Sequence, residues 1–370
     1  MSEPKKYSTR RKWKVYRPSV QELAFSRAAQ ENDIQALQQL LADGVDVNCA
    51  PYGSTILAIA VIFGSPECVR ILISAGADAN LTHGQGTPLI SALMRSVESI
   101  VRLLIDAGAD VNLVNDAEFG QAPLQYAAEF GLQNCLQALI DAGADVNHVN
   151  NNGWTALMSA TERDQLTCLS PLIQAGSDLN HATNHEGWTA LTIAVRKGYL
   201  TCAQELLSAG ADVNYVDNAG RTALVYAARS WSVMCVQALL QAGADVSHVD
   251  KTGWTALVWV ERWFSPYLNG ASTIDLGLIE APKEWPLSRE HFRPVSGMAM
   301  RADRHQCLEL LRAARNKLLF VLEDILDDVR HAQENDEHED ARRAEGDDGR
   351  ADEINVAQNN EKAHGNDAGM

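Results

Sequence analysis

A phrase that returns about every 33 residues constrains this chain more than any other feature. It reads Ala75-Gly76-Ala77-Asp78, and recurs at Ala107–Asp110, Ala142–Asp145, Ala175–Asp178, Ala209–Asp212 and Ala242–Asp245, with a weaker copy at Asp43–Asp46. Its glycines fall at 44, 76, 108, 143, 176, 210 and 243. A second phrase, such as Thr87-Pro88-Leu89 or Thr189-Ala190-Leu191, precedes it. From the first residue of that phrase to the following Asp the offset is always 23: 55 to 78, 87 to 110, 122 to 145, 155 to 178, 189 to 212 and 222 to 245. The stretch after each Asp varies in length. A rigid unit therefore alternates with an adjustable connector, because packed elements resist insertions and exposed loops absorb them.

Inside the unit the apolar spacing is helical. In Thr189–Asp212 one short cluster holds Leu191, Ile193, Ala194 and Val195, and a second holds Leu200, Cys202, Ala203, Leu206 and Leu207. The second follows the i, i+3, i+4 spacing of a helix face. Gly198 separates the clusters, and Gly210 suits a left-handed residue closing the second helix. The leading Thr can cap the first helix, while Pro88 and Pro123 sit where a first turn tolerates proline.

A period near 33 with a Thr-Pro-Leu opening resembles the ankyrin repeat, a β-turn followed by two helices. The resemblance covers about residues 19–257, with a broken continuation. It implies an all-α ankyrin-repeat solenoid of about eight repeats, of which the last is interrupted. One departure stands out. The histidine usual after Thr-Pro-Leu is replaced by Ala58, Ile90, Gln125, Met158, Thr192, Val225 and Val258. The first copy is atypical and carries Gln30, Glu31, Gln35, Gln38 and Gln39 on a polar outer face, as a terminal repeat meeting water requires.

An eighth copy opens at Gly253-Trp254-Thr255-Ala256-Leu257, but its second helix resumes only at Arg304–Leu311. Residues 265–303 interrupt it, with four prolines among Tyr267, Trp285 and Phe292. Long irregular insertions in compact domains are more often functional or disordered than filler. Leu311, Leu318, Ile325 and Ala332 then lie seven apart. They form either a helix capping the array or a coiled-coil seam. The cap is preferred because Arg315 interrupts the parallel stripe of Leu308, Leu322 and Val329. The expected organisation is a basic flexible arm (1–18), a repeat domain (19–315) with its insert, a C-terminal helix (316–333) and an acidic disordered tail (334–370).

The formal net charge of −17 argues against a general nucleic-acid binder, but it is unevenly spread. Residues 1–18 hold seven Lys and Arg against one acid, whereas 321–370 hold 16 acids against five Lys and Arg. The basic arm, with Tyr7, Trp13 and Tyr16 interleaved, is a candidate for contact with nucleic acid, an acidic membrane surface or an import receptor. A solvated arm, or one paired with the acidic tail, explains it as well. No apolar run is long enough for a transmembrane segment, and the first 17 positions lack a secretory core. A cytoplasmic or nuclear location is expected.

Six of the seven cysteines (Cys68, Cys135, Cys168, Cys202, Cys235 and Cys307) share one position of the second helix, where other copies have Ile100 and Ala36. That exchange marks a small buried filler, not a ligand or a disulfide framework. His148 and His248 share a connector position with Leu81, Leu113 and Tyr215, which are not ligands. Neither a metal site nor a cofactor is expected. No Gly-x-Ser-x-Gly elbow or phosphate loop occurs, and the repeat acids are periodic, where a catalytic pair would be unique.

The candidate protein-binding residues are aromatic: Tyr126 and Tyr226 in first helices, Trp231 in place of a helix-ending glycine, and Trp259 and Trp263 in the next copy. Ankyrin-like proteins bind partners on a concave face of fingers and first helices, where such a group would make a hot spot. The alternative is that the insert covers these rings. Trp154, Trp188 and Trp254 share a connector position and serve either packing between fingers or partner contact. The resemblance implies a non-enzymatic protein–protein interaction scaffold or adaptor of unidentified partner. The alternative is a regulatory or targeting subunit, an inhibitor or degradation adaptor, acting through the insert and tail. The loop residues Asn48, Asn112, Asn147 and Asn214, with Asn80 and Asn180 as variants, also resemble ankyrin sites of asparaginyl hydroxylation.

Overall fold

The computed structural model describes residues 17–82, 86–115, 119–262 and 303–317. The chain divides into two compact units, Met1–Leu308 and Glu309–Met370. The described part of the second unit, 309–317, is helical. In the first unit, helices come in pairs: α1 (Val20–Glu31) with α2 (Ile34–Ala42), α3 (Ile56–Ile62) with α4 (Pro66–Ser74), α5 (Pro88–Met94) with α6 (Glu98–Asp106), and α7 (Pro123–Glu129) with α8 (Gln133–Asp141). The pattern continues through α9 (Ala156–Glu162) with α10 (Leu166–Gln174), α11 (Ala190–Lys197) with α12 (Leu200–Ser208), and α13 (Ala223–Ser230) with α14 (Val233–Gln241). Next comes α15 (Ala256–Arg262), and residues 303–308 are again helical. Arg304 donates to the carbonyls of Val260 and Glu261 at 3.2 and 3.3 Å, so this segment closes onto the last carbonyls of α15. The expected all-helical repeat array is thus observed. Residues 1–16 of the basic arm, residues 265–302 of the insert, nearly all of the C-terminal helix and the acidic tail lie outside the described residues.

Helices of seven to nine residues are too short to persist alone, so packing must hold them. Each first helix packs on its own second helix and on the next first helix, and second helices pack on one another. Two leucines per repeat make the seam: Leu57 with Leu72, Leu89 with Leu104, Leu124 with Leu139, Leu157 with Leu172, Leu191 with Leu206, and Leu224 with Leu239, all buried. Each contributes roughly 1.5–3 kcal/mol on burial.

The two repeated phrases are cap motifs. Thr55, Thr87, Thr155, Thr189 and Thr255 each accept, on the side-chain hydroxyl, the amide three residues on. At α7, where Ala122 cannot cap, Gln125 accepts the Ala122 amide at 2.9 Å. Its amide group donates to the Trp154 carbonyl of the next finger at 2.7 Å. At the other end, Gly76 (φ 87°) donates to Ile73 and Ala77 donates to Leu72, both at 2.9 Å, closing α4.

The Asp that follows begins a polar ladder. Asp145 Oδ1 accepts the Asn147 amide at 3.0 Å, Asn147 Oδ1 accepts the Asp178 amide of the next repeat at 2.8 Å, and Asn147 Nδ2 donates to Gly176 at 3.1 Å. The inter-repeat rung recurs from Asn48 to Asp78, Asn80 to Asp110, Asn112 to Asp145, Asn180 to Asp212 and Asn214 to Asp245. The connectors form fingers linked edge to edge: Asn151 donates to Phe119, Asn184 to Asn152 and Asn218 to Glu186 through the backbone. Such closeness requires glycine. Gly153 has φ 80°, and a Cβ there would lie 2.5 Å from the Asn184 amide nitrogen.

Candidate protein-binding face

The fingers and the C-terminal ends of the first helices line one face, and one side chain at the base of each finger sets its shape. Asp250 Oδ1 accepts the Thr252 and Trp254 amides at 2.8 and 3.2 Å, which tightens the turn. Asp217 does the same for Ala219 and Arg221, and Asn150 for Asn152 and Trp154. The second oxygen of each Asp reaches a ring on the following first helix. Tyr226 donates to Asp217 Oδ2 at 2.5 Å, and Trp259 Nε1 donates to Asp250 Oδ2 at 2.8 Å. At the matching place Asn115 Nδ2 donates to the Tyr126 hydroxyl at 3.4 Å.

Three of the five aromatic residues singled out from sequence therefore occupy one register, and each ties a finger to its helix. They are buried: Tyr126 is 3% exposed, Tyr226 8% and Trp259 5%. Trp231 is half-buried and ends α13 in the left-handed conformation (φ 54°), where α11 ends on Gly198. Trp263 lies outside the described residues. Of the connector tryptophans, Trp188 meets Tyr226 edge-on at 6.5 Å and donates to its hydroxyl at 3.2 Å. Trp254 meets Trp259 edge-on at 4.7 Å.

Cations cover these rings. The Arg196 guanidinium lies 3.4 Å from the Trp188 ring centroid and 5.7 Å from that of Tyr226. Arg229 lies 5.7 Å from Tyr226 and 4.7 Å from Trp259. Arg221 lies 5.4 Å from Trp259 and pairs with Asp250 at 3.5 Å. Burial pushes the Tyr226 hydroxyl up, and its bond to Asp217 adds to that. Burial also opposes ionisation of Asp250, but the bonds from Thr252, Trp259 and the turn amides outweigh it and hold its carboxyl below the usual range.

The same face differs toward the N-terminus. Phe63 ends α3, Met94 belongs to the last turn of α5 and Phe130 ends α7. Phe63 is 56% exposed and Phe130 42%, and Tyr52 and Phe119 stand exposed on fingers. Between the two halves a shallow cleft is lined by Phe119, Gln121 and Trp154 of the fingers and by Glu129 and Arg163 at the helix ends. Sequence reading passed over Phe63, Met94 and Phe130. The signal was an apolar residue at Phe63 and Phe130 where the neighbouring copies end in Arg95, Arg163 or Lys197, and at Met94, one position earlier, where other copies have Glu129, Glu162 or Arg196.

The comparisons agree with this architecture. The family described as "Ankyrin repeats (3 copies)" matches at residues 25–115, 99–183 and 165–250, well over half of the chain. The chain belongs to the ankyrin-repeat family. Among solved structures it is similar to the ankyrin repeat domain of Bcl-3, described as a unique member of the IkappaB protein family, with 31% identity and a TM-score of 0.52. That match covers 55% of this chain and 93% of the Bcl-3 domain. No curated protein matches the sequence. Ankyrin repeats mediate protein–protein interaction, and protein partners follow for this chain.

Two further sets of residues take their place within the ankyrin array. The six aligned cysteines are buried, and so is Cys49; all seven are free thiols. Burial pushes Cys135 up to about 11. Burial, then the bond to Asp164, pushes Cys202 up to about 12, so these thiols stay protonated as packing groups. The histidine register is larger than the sequence reading drew it, because His181 joins His148 and His248. Their Nε2 atoms hydrogen-bond the finger glycine carbonyls of Gly153, Gly120 and Gly220 at 3.2, 2.9 and 2.8 Å respectively. Among the described residues no helix is long and apolar enough to cross a membrane.

Proposed function

We propose that this chain is a non-enzymatic interaction scaffold or adaptor, and that its partner lies along the finger and first-helix face. One observation carries the reading. A uniform frame of caps, leucines and Asn rungs holds, at the first-helix ends, residues that change in chemistry from copy to copy: Phe63, Arg95, Phe130, Arg163 and Lys197. A frame needs the same residue at the same place, whereas a surface that reads a particular partner needs different ones. The outward positions of the second helices are filled instead by short-range polar pairs, such as Arg70 with Glu67 and Gln137 with Asp141, which serve the helix itself.

The test is affinity capture of partners by the full chain, with mass-spectrometric identification, repeated with Phe63→Ala/Phe130→Ala and with Gln137→Ala on a second helix. Partners recovered by the wild type and the second-helix variant should be lost from the double variant, while its thermal unfolding is unchanged. Full recovery by the double variant, with loss from Gln137→Ala, would move the interface to the opposite side and overturn the reading.

A further inference from the structure

Arg196 and Arg229 differ from Arg163 and Lys197 at the neighbouring first-helix ends. Arg163 holds Glu129 at 2.7 Å and Lys197 holds Glu162 at 2.5 Å. Among the described residues, no carboxylate stands within 4.0 Å of the Arg196 or Arg229 guanidinium. Of the acids whose charge reaches the two arginines, Glu162 pairs with Lys197 and Glu186 stands exposed on its finger, while Asp217 and Asp250 are committed elsewhere. Asp217 takes the Tyr226 hydroxyl and two amides, and Asp250 takes Trp259, Arg221 and its own turn. Both arginines are half-buried. Burial disfavours their charge, and for Arg229 the neighbouring Arg221 and Arg196 disfavour it further. Among the described residues, the protein thus keeps two partly desolvated, mutually repelling cations that no acid pairs directly, in a chain whose net charge is −17.

The rings beneath hold these groups in place. Trp188, Arg196, Tyr226, Arg229 and Trp259 alternate along the face as ring, cation, ring, cation, ring. Stacking on a ring fixes the guanidinium plane and leaves its N–H edge for a planar anion, so little side-chain freedom remains to be lost on binding. A carboxylate matches that edge with two parallel hydrogen bonds.

We propose that Arg196 and Arg229 form a docking shelf for an extended acidic peptide segment of a partner protein, with carboxylates three residues apart. The proposal rests on the reading of this face as a protein interface and adds the chemistry of the partner there. The spacing follows from geometry. Packed helices such as α11 and α13 lie roughly 8–10 Å apart, and a chain extended in the polyproline II form advances about 3.1 Å per residue with three residues per turn, so side chains at i and i+3 share a face and meet successive arginines. Charge also decides between polyanions. A nucleic acid would bring its whole phosphate array against an acidic body, whereas a short acidic segment presents its charge only to the shelf.

The experiment is fluorescence anisotropy of the full chain with a fluorescein-labelled peptide of four Glu-Ser-Gly triplets. The controls are the Gln-Ser-Gly counterpart and a twelve-nucleotide oligothymidylate. The Glu peptide should bind, the Gln peptide should not, and affinity should fall as salt rises. Arg196→Gln and Arg229→Gln should each weaken binding about tenfold, the loss expected for one charged hydrogen-bonding group. Arg196→Lys/Arg229→Lys, which keeps the charge and removes the fork, should fall between wild type and the double Gln variant. Equal binding of the Glu and Gln peptides, no binding of either, tighter binding of the oligonucleotide, or insensitivity to both arginines would each overturn the proposal. Binding seen only in a chain lacking residues 265–303 would assign the shelf to that segment and overturn it as well. Captured partners that survive Arg196→Gln/Arg229→Gln but are lost with Phe63→Ala/Phe130→Ala would remove the shelf and leave the interaction reading standing.

Discussion

The two halves of the proposed binding face differ in the aromatic residues they leave open to solvent. Toward the N-terminus, Phe63 and Phe130 stand at helix ends with their rings open to solvent. Toward the C-terminus, Tyr226 and Trp259 lie one helical turn earlier, buried, bonded to Asp217 and Asp250, and roofed by Arg196 and Arg229. A shift of four residues along a helix turns a ring from contact surface into structure. The first half offers apolar area directly, and the second offers cations on an aromatic floor. A partner covering the whole face needs an apolar end and an acidic end.

The comparison breaks most readily at the buried rings. Tyr226→Ala and Trp259→Ala should each cost about 3–5 kcal/mol in urea unfolding, because each removes a packed ring and a hydrogen-bond partner of a buried Asp. Phe63→Ala and Phe130→Ala should stay within about 0.5 kcal/mol of wild type. Equal costs at the two sets would erase the distinction. In a repeat array the transition can lose two-state character, so the Tyr226 and Trp259 variants should also broaden it.

The next effect depends on pH. Asp250 ionises more readily in the folded chain than in the unfolded one, despite its burial, because Thr252, Trp259 and the turn amides donate to it. A group with a depressed folded pKa adds stability above its unfolded value, near 4, and loses it as pH falls through the folded value. Wild type should therefore exceed Asp250→Asn in stability at neutral pH, and the gap should close below about pH 4. A gap constant from pH 7 to pH 3 would show that shape, not charge, ties finger to helix. Asn115→Ala, which removes a neutral side chain at the matching place, should change stability by an amount that does not vary with pH over that range.

Much of this was legible in the sequence because the signals are local and periodic. The Ala-Gly-Ala-Asp phrase is a helix stop followed by an Asp turn, and each part acts within five residues. The cysteine register was readable for the same reason, since Ile100 and Ala36 fill the same place. The finger-base residue was not, because Asn115, Asn150, Thr183, Asp217 and Asp250 share a role without sharing a side chain. Burial of the candidate aromatics goes with that unseen partner, an acceptor for Tyr226 and Trp259 and a donor for Tyr126. A tyrosine within a first helix reads as surface until something beneath it hydrogen-bonds its hydroxyl. That no described acid pairs directly with Arg196 or Arg229 is visible only once distances to the neighbouring acids are known.

A smaller effect belongs to the frame that both halves share. Asn147→Ala removes the acceptor for the Asp178 amide and the donor to Gly176 while leaving the leucine seam intact. Two exposed hydrogen bonds are worth roughly 1–2 kcal/mol together. The expected readout is local: faster hydrogen exchange at the Asp178 amide, with amides in α7 and α13 unchanged. Loss of protection along the whole array would mean that the ladder, more than the leucines, couples neighbouring repeats.

The smallest effect tests strain at the junction of α13 and α14. Trp231 takes a left-handed conformation that Gly198 fills at no cost in the preceding repeat. A Cβ in that region costs roughly 1–2 kcal/mol, whatever lies beyond it. Comparing Trp231→Gly with Trp231→Ala cancels the lost indole contacts, since both variants lack them. The glycine variant should be the more stable by about 1 kcal/mol, seen as a higher melting temperature. If the two melt together, the strain is absent and α13 ends freely on any residue. If Trp231→Gly melts below Trp231→Ala, the flexibility glycine brings to the unfolded chain outweighs the relief. With the expected order, the backbone at Trp231 is strained, and the contacts of its half-buried indole are what offset that cost in the wild type.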